Sequence, residues 1–97
     1  MPTYIALLKW TPQGRQNLKQ SPSRLDAARK AFKAAGVTMK DFYMVTGQYD
    51  MVAVVEAADD TALAKAILTT AADGSITSET CRAFTEDEYR QIIGSLA

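Results

Sequence analysis

Two segments of the chain read as strands that are apolar on both faces, and no other feature constrains the fold as tightly. Side chains along a strand point alternately to opposite sides. In residues 3–10, Thr-Tyr-Ile-Ala-Leu-Leu-Lys-Trp, Ile5 and Leu7 therefore form one set and Tyr4, Ala6, Leu8 and Trp10 the other. Residues 51–55 repeat the pattern, with Met51, Ala53 and Val55 against Val52 and Val54. A sheet with one face in water alternates apolar with polar residues, and these strands do not. Both faces need a cover, so helices packed on one side leave an apolar surface on the other.

The 97 residues make one domain, 1–97, because a chain this short rarely divides into two cores that each offset the entropy of folding. Apolar residues are 47% and charged residues 23% of the chain, too apolar for disorder. Eleven basic residues balance eleven acidic ones, so there is no broad positive field and no nucleic-acid partner is expected. The single Cys81 has no internal disulfide partner, which fits a reducing compartment. It reads as a small residue packed in a strand: the chain has no histidine, and Arg82, next to it, points to the other strand face. No basic N-terminal segment leads into an apolar run and no stretch approaches 18 apolar residues, so the expectation is a cytoplasmic protein with no membrane partner.

Along the chain, residues 3–10 are the first strand, ended by a polar stretch with Pro12 and Gly14. Ser21-Pro22-Ser23 offers a hydroxyl N-cap with proline at the first helical position. Leu25, Ala28, Phe32 and Ala35 then make one apolar stripe before Gly36, which predicts a helix over 22–35. Val37 to Thr46 is β-like, Gly47-Gln48-Tyr49-Asp50 reads as a tight turn, and Met51 to Ala57 is a third strand. Asp59 and Asp60 cap a helix carrying Leu63, Ala66, Ile67 and Thr70 on one face, ended by Asp73-Gly74. Ser75 to Phe84 is a fourth strand. Thr85-Glu86-Asp87-Glu88 has the spacing of a capping box, opening a last helix anchored by Ile92, Ile93 and Leu96.

Strand, helix, strand, strand, helix, strand, helix is the split βαβ order of the ferredoxin-like α+β fold, with a four-stranded antiparallel sheet and both crossover helices on one face. Two covers fit the other face: the C-terminal helix of the same chain, or a second copy. The second copy is favoured, because one short helix covers only part of four strands and a two-fold interface uses the same patch twice.

Thr11, Gly14 and Asn17, Ser21-Pro22-Ser23-Arg24, Gly47-Gln48-Tyr49-Asp50 and Ala83-Phe84-Thr85-Glu86, taken in order, resemble the GYD domain family over nearly the whole chain. The resemblance implies the dimeric α+β barrel, two ferredoxin-like sheets face to face, in a family without an established general function. A similar Gly-x-Tyr-Asp hairpin occurs in the effector-binding domain of leucine-responsive bacterial regulators, where small metabolites bind at subunit contacts. No helix-turn-helix segment accompanies it here. Other dimeric α+β barrels are isomerases, monooxygenases or decarboxylating enzymes, an analogy of fold alone.

Tyr4, Leu8 and Trp10 share a strand face that Tyr43 joins if registers align, an aromatic wall of the kind that lines small-molecule pockets and also packs interfaces. Gly47 reads as a backbone requirement of the turn. Asp50 reads as an acceptor for turn amides or as a pocket residue beside Tyr49, whose hydroxyl is the polar end of an apolar body. Arg15 and Lys19 lie in a loop, Thr11 to Gln20, without an acidic residue, and with a helix N-terminus behind them they form either a carboxylate or phosphate site or solvated surface charge. Without histidine there is no imidazole base and no metal site is expected; Asp41, Glu56 and Glu79 show no dyad spacing. No nucleotide fingerprint adds a cofactor. The leading expectation is a homodimer, open to higher assembly, that binds a small metabolite near the barrel interior. Its rivals are a small cofactor-independent isomerase or oxygenase, and a structural or partner-binding module without a ligand.

Overall fold

In the computed structural model, which describes residues 1–97, the two segments that are apolar on both faces become neighbouring inner strands. The chain runs β1 (Thr3–Trp10), α1 (Pro12–Gln16), a 3₁₀ turn (Leu18–Gln20), α2 (Ser21–Ala34), β2 (Thr38–Met44), β3 (Met51–Glu56), α3 (Asp60–Ala71), β4 (Ile76–Ala83) and α4 (Glu86–Gly94). The sheet order is β2-β3-β1-β4 with every neighbour antiparallel, the ferredoxin-like arrangement. Ile5 stands opposite Val54 and Cys81, Leu7 opposite Val52 and Glu79, and a bulge at Lys40 interrupts β2 between Met39 and Asp41.

The helix layer selects one of the two apolar sets. Tyr4, Ala6 and Leu8 of β1 and Met51, Ala53 and Val55 of β3 are buried in one cluster with Phe32 of α2 and Leu63 and Ala66 of α3. The Tyr4 hydroxyl donates to the Asp60 carboxylate and ties β1 to the first turn of α3. Ile5, Leu7, Val52 and Val54 point the other way and are half-exposed. The face of Tyr4, Leu8 and Trp10, read as the wall of a pocket or an interface, is thus the helix side: Tyr4 and Leu8 are core residues. Cys81, expected to be packed, is exposed on the open side. No residue of α4 is buried, and Tyr89, Ile92, Ile93 and Leu96 near the C-terminus stay exposed, so α4 does not cover that face within the chain.

The segment read as a loop from Thr11 to Gln20 is helical. The Thr11 side chain accepts from the Gly14 amide at 3.1 Å, capping α1, and the 3₁₀ turn then feeds directly into α2. Gln20 at the head of α2 is itself in a helical conformation and no side chain caps it, so Ser21 is not the expected N-cap. Asp59 caps α3, accepting from the Ala62 amide at 2.8 Å. Thr85 and Glu88 complete the expected capping box of α4. Gly14 is fixed by contact, not by its dihedral angles: a Cβ there would lie 2.1 Å from the Ser75 carbonyl oxygen.

Candidate functional site

The open face is a block of aliphatic side chains with polar groups at one end. Ile5, Leu7, Val52 and Val54 form the block, and registers extend it to Tyr43 beyond Val52 and to Cys81 and Glu79 on β4. Lys9 follows Leu7 on the same side of β1, with its Nζ 5.5 Å from the centroid of the Tyr49 ring. The Tyr49 hydroxyl donates to the Glu79 carboxylate. That bond pushes the Tyr49 phenol above its ordinary pKa, with burial and the Glu79 charge adding to it. Together with Leu7, Gln48 and Thr77 these groups wall a shallow, mostly polar pocket of about 210 Å³. It presents an ammonium, a carboxylate, a hydroxyl and an amide beside aliphatic surface.

The hairpin holds this pocket in place. Gly47 has φ +120°, a backbone angle that side chains rarely adopt, so a glycine lets the chain turn there. Asp50 then fastens the hairpin to β1: its amide donates to the Leu8 carbonyl and its Oδ2 accepts from the Trp10 amide, at 2.9 and 3.0 Å. Asp50 thus bonds a neighbouring strand where turn amides were expected. Its fixed position sets that of Tyr49 one residue earlier.

The residues expected to bind a ligand separate into three groups. Tyr43 and Tyr49 lie on the open face, Asp50 is the hairpin anchor, and Tyr4, Leu8 and Trp10 lie on the helix side. There Leu8 and Trp10 line a cavity between the sheet and α2. Arg15 donates to the Trp10 carbonyl at 3.3 Å and Lys19 is exposed on the 3₁₀ turn. The helix start expected behind them is entered from that turn, with the Gln20 amide bonding the Asn17 carbonyl at 3.1 Å and the Ser21 amide bonding the Leu18 carbonyl. Lys9 was given no role in the sequence, Gln48 entered only as a turn residue and Glu79 only as an acid without dyad spacing. The signal for Lys9 was parity, since it shares the strand side of Ile5 and Leu7, whereas Glu79 needed the β1–β4 register.

The GYD domain family model matches residues 4–93. Over 84 residues the chain is 37% identical to a Thermus thermophilus protein described as a glutamine synthetase and cystathionine beta-lyase binding protein, covering 86% of this chain and 88% of that one. A crystal structure of TTHA0845, also from Thermus thermophilus, superposes with a TM-score of 0.56 at 24% identity, over 88% of this chain and 95% of that one. The crystal structure of FFRP-DM1 superposes with a TM-score of 0.52 at 21% identity, over 87% of this chain and the whole of that one. These two likenesses establish the shared fold. No helix is long and apolar enough to cross a membrane.

Proposed function

The chain belongs to the GYD domain family, and from that premise we propose that it is a homodimeric binding module whose two copies meet through their open sheet faces. The observation that carries this reading is the half-exposed block of Ile5, Leu7, Val52 and Val54 at the centre of a face that no helix covers. Strands of up to 8 residues, at ~3.3 Å per residue and ~4.8 Å between strands, give four strands a footprint of ~500 Å² per copy. Doubled, that sits at the lower limit for a specific interface, near 1,000 Å². The exposed Tyr43, Ile92 and Ile93 supply further apolar area for the partner copy.

Between the apposed sheets, Lys9, Gln48, Tyr49 and Glu79 are the groups that hold a small metabolite. Lys9 and Glu79 offer charges of both signs, which suits a compact ligand with both donor and acceptor groups next to an apolar body. A binding role, as against turnover, is supported by the relative named for binding two enzymes, and on the same ground the assembled dimer docks onto a partner protein. A cytoplasmic setting is part of the proposal, supported by a lone Cys81 without a disulfide partner.

Native mass spectrometry of the freshly purified protein tests both halves. The expected result is a dimer carrying additional small-molecule mass, lost in the Lys9→Met and Glu79→Gln variants while the dimer persists. A monomer throughout the micromolar range overturns the dimer. A dimer with no added mass in any preparation, or a ligand chemically altered on incubation, overturns the metabolite-binding reading, the second in favour of an enzyme.

A further inference from the structure

The helix side of the sheet carries a second cavity, separate from the open face. It has a volume of about 670 Å³ and runs along α2 from Ser21 to Phe32, walled by that helix, by all four strands and by Ile67 and Thr70 of α3. It opens to solvent, and a space of this size is in the range of small-molecule sites. Its cause is visible in the packing. Ala6 and Ala53 on the sheet and Ala28 and Ala31 on α2 line it, small side chains on both layers where larger ones would close the gap.

Two polar atoms on this mostly apolar wall have no partner. Trp10 Nε1 and Arg24 Nη2 are both buried and make no hydrogen bond. The other guanidinium nitrogen of Arg24 donates to the Asn17 carbonyl at 3.1 Å, which holds the side chain in place, and no carboxylate forms a salt bridge with it. Asp73, on the same wall, is occupied by the Ser75 amide and hydroxyl at 2.8 and 2.6 Å. A buried donor without an acceptor is costly, more so when it is cationic. We propose that this cavity binds an apolar monocarboxylate, its hydrocarbon body among Ala6, Ala28, Phe32 and Ala53 and its carboxylate on Arg24 and Trp10. The Arg24 charge favours an anion, while the ionised Asp73, which already interacts with Arg24, tempers that pull and disfavours a second negative group on the ligand.

Trp10 is the only tryptophan in the chain and lines the cavity, so its fluorescence reports occupancy directly. The full-length protein is titrated with decanoate and, separately, with decanol, following Trp10 emission and heat. Saturable binding of one decanoate per chain is expected. Arg24→Gln, checked by circular dichroism for unchanged fold, should weaken decanoate by about tenfold or more while leaving decanol unchanged. Ala31→Phe, at the edge of the cavity, should abolish both signals. Equal affinities for decanoate and decanol, or an Arg24→Gln variant that binds decanoate as well as the parent, overturn the carboxylate assignment. Decanoate binding that appears only in Ile92→Asp/Ile93→Asp overturns the proposal in favour of a neighbouring α4 as the occupant, and no binding to any form overturns the site.

Discussion

Replacing Gly14 with alanine should destabilise the protein even though alanine is the better helix former. Gly14 sits in α1, where propensity alone favours alanine by up to ~1 kcal/mol, and fewer unfolded conformations favour it further. Against this, the added Cβ would lie 2.1 Å from the Ser75 carbonyl oxygen and 3.0 Å from its carbon, and both are backbone atoms that no rotamer change can move aside. The same carbonyl accepts from the Thr11 amide at 3.0 Å, and the Thr11 hydroxyl donates to the Gly74 carbonyl at 2.6 Å, so separating α1 from the α3–β4 connection strains both bonds. Overpacking of this kind costs ~1–3 kcal/mol and each strained bond about 1 kcal/mol. The net expectation is a loss of about 2–3 kcal/mol. For a domain of this size that is a fall in Tm of roughly 10–20 °C. Urea unfolding and thermal melts at a fixed protein concentration read this out, concentration being held because a dimer links stability to it. A Gly14→Ala variant as stable as the parent, or more so, would refute the close approach and with it the placement of α1 on the β4 connection.

Asp50→Ala removes the acceptor of the Trp10 amide and should cost about 1–2 kcal/mol in urea unfolding while loosening the hairpin, read as faster amide exchange at Trp10. Thr85→Ala breaks the capping box of α4 and should cost about 1 kcal/mol. Glu88 accepts from the Thr85 amide and is held below the usual carboxylate range, so its contribution is present above the ordinary glutamate pKa and lost as the pH falls through the depressed value. The parent protein's stability should therefore fall in that acid window by more than that of Glu88→Gln. Tyr49 is shifted the opposite way, its phenol raised by the bond to Glu79, so its stabilising effect holds below the ordinary tyrosine pKa and is lost as the pH rises through the raised value. An absorbance titration near 295 nm should lose a late-ionising tyrosine in Tyr49→Phe, and a difference spectrum at the ordinary tyrosine pKa would contradict this.

Element order was legible because each boundary carries local chemistry: the capping box at Thr85, Asp59 before α3, and Gly47 in the hairpin all act through neighbours within a few residues. The choice of which apolar set meets the helices is a long-range matter, and alternation gives only parity. A finer signal was present in the charges. The set of Tyr4, Ala6, Leu8 and Trp10 and the set of Met51, Ala53 and Val55 contain no charged residue, whereas Lys9 accompanies Ile5 and Leu7, and Glu56 accompanies Val52 and Val54. Aromatic content pointed to the opposite assignment, because large rings serve cores as well as interfaces. The helical turn over Pro12–Gln16 was masked by Pro12 and Gly14, loop formers that here stand at the first helical position and at a backbone contact. The alanine-lined cavity and the pairing of Tyr49 with Glu79 depend on residues far apart in sequence, and no spacing rule brings those together.

The open face is tested most directly by sedimentation of the parent protein and Leu7→Asp across the micromolar range. Leu7 is half-exposed in the chain, so the substitution should spare the fold, yet a two-fold dimer buries it twice. With about half of the burial left to gain, ~0.8–1.5 kcal/mol for each leucine, association should weaken by about ten- to a hundredfold. A parent dimer and a folded Leu7→Asp monomer is the predicted result; a parent monomer, or a Leu7→Asp variant that remains as dimeric as the parent, would contradict a face-to-face assembly.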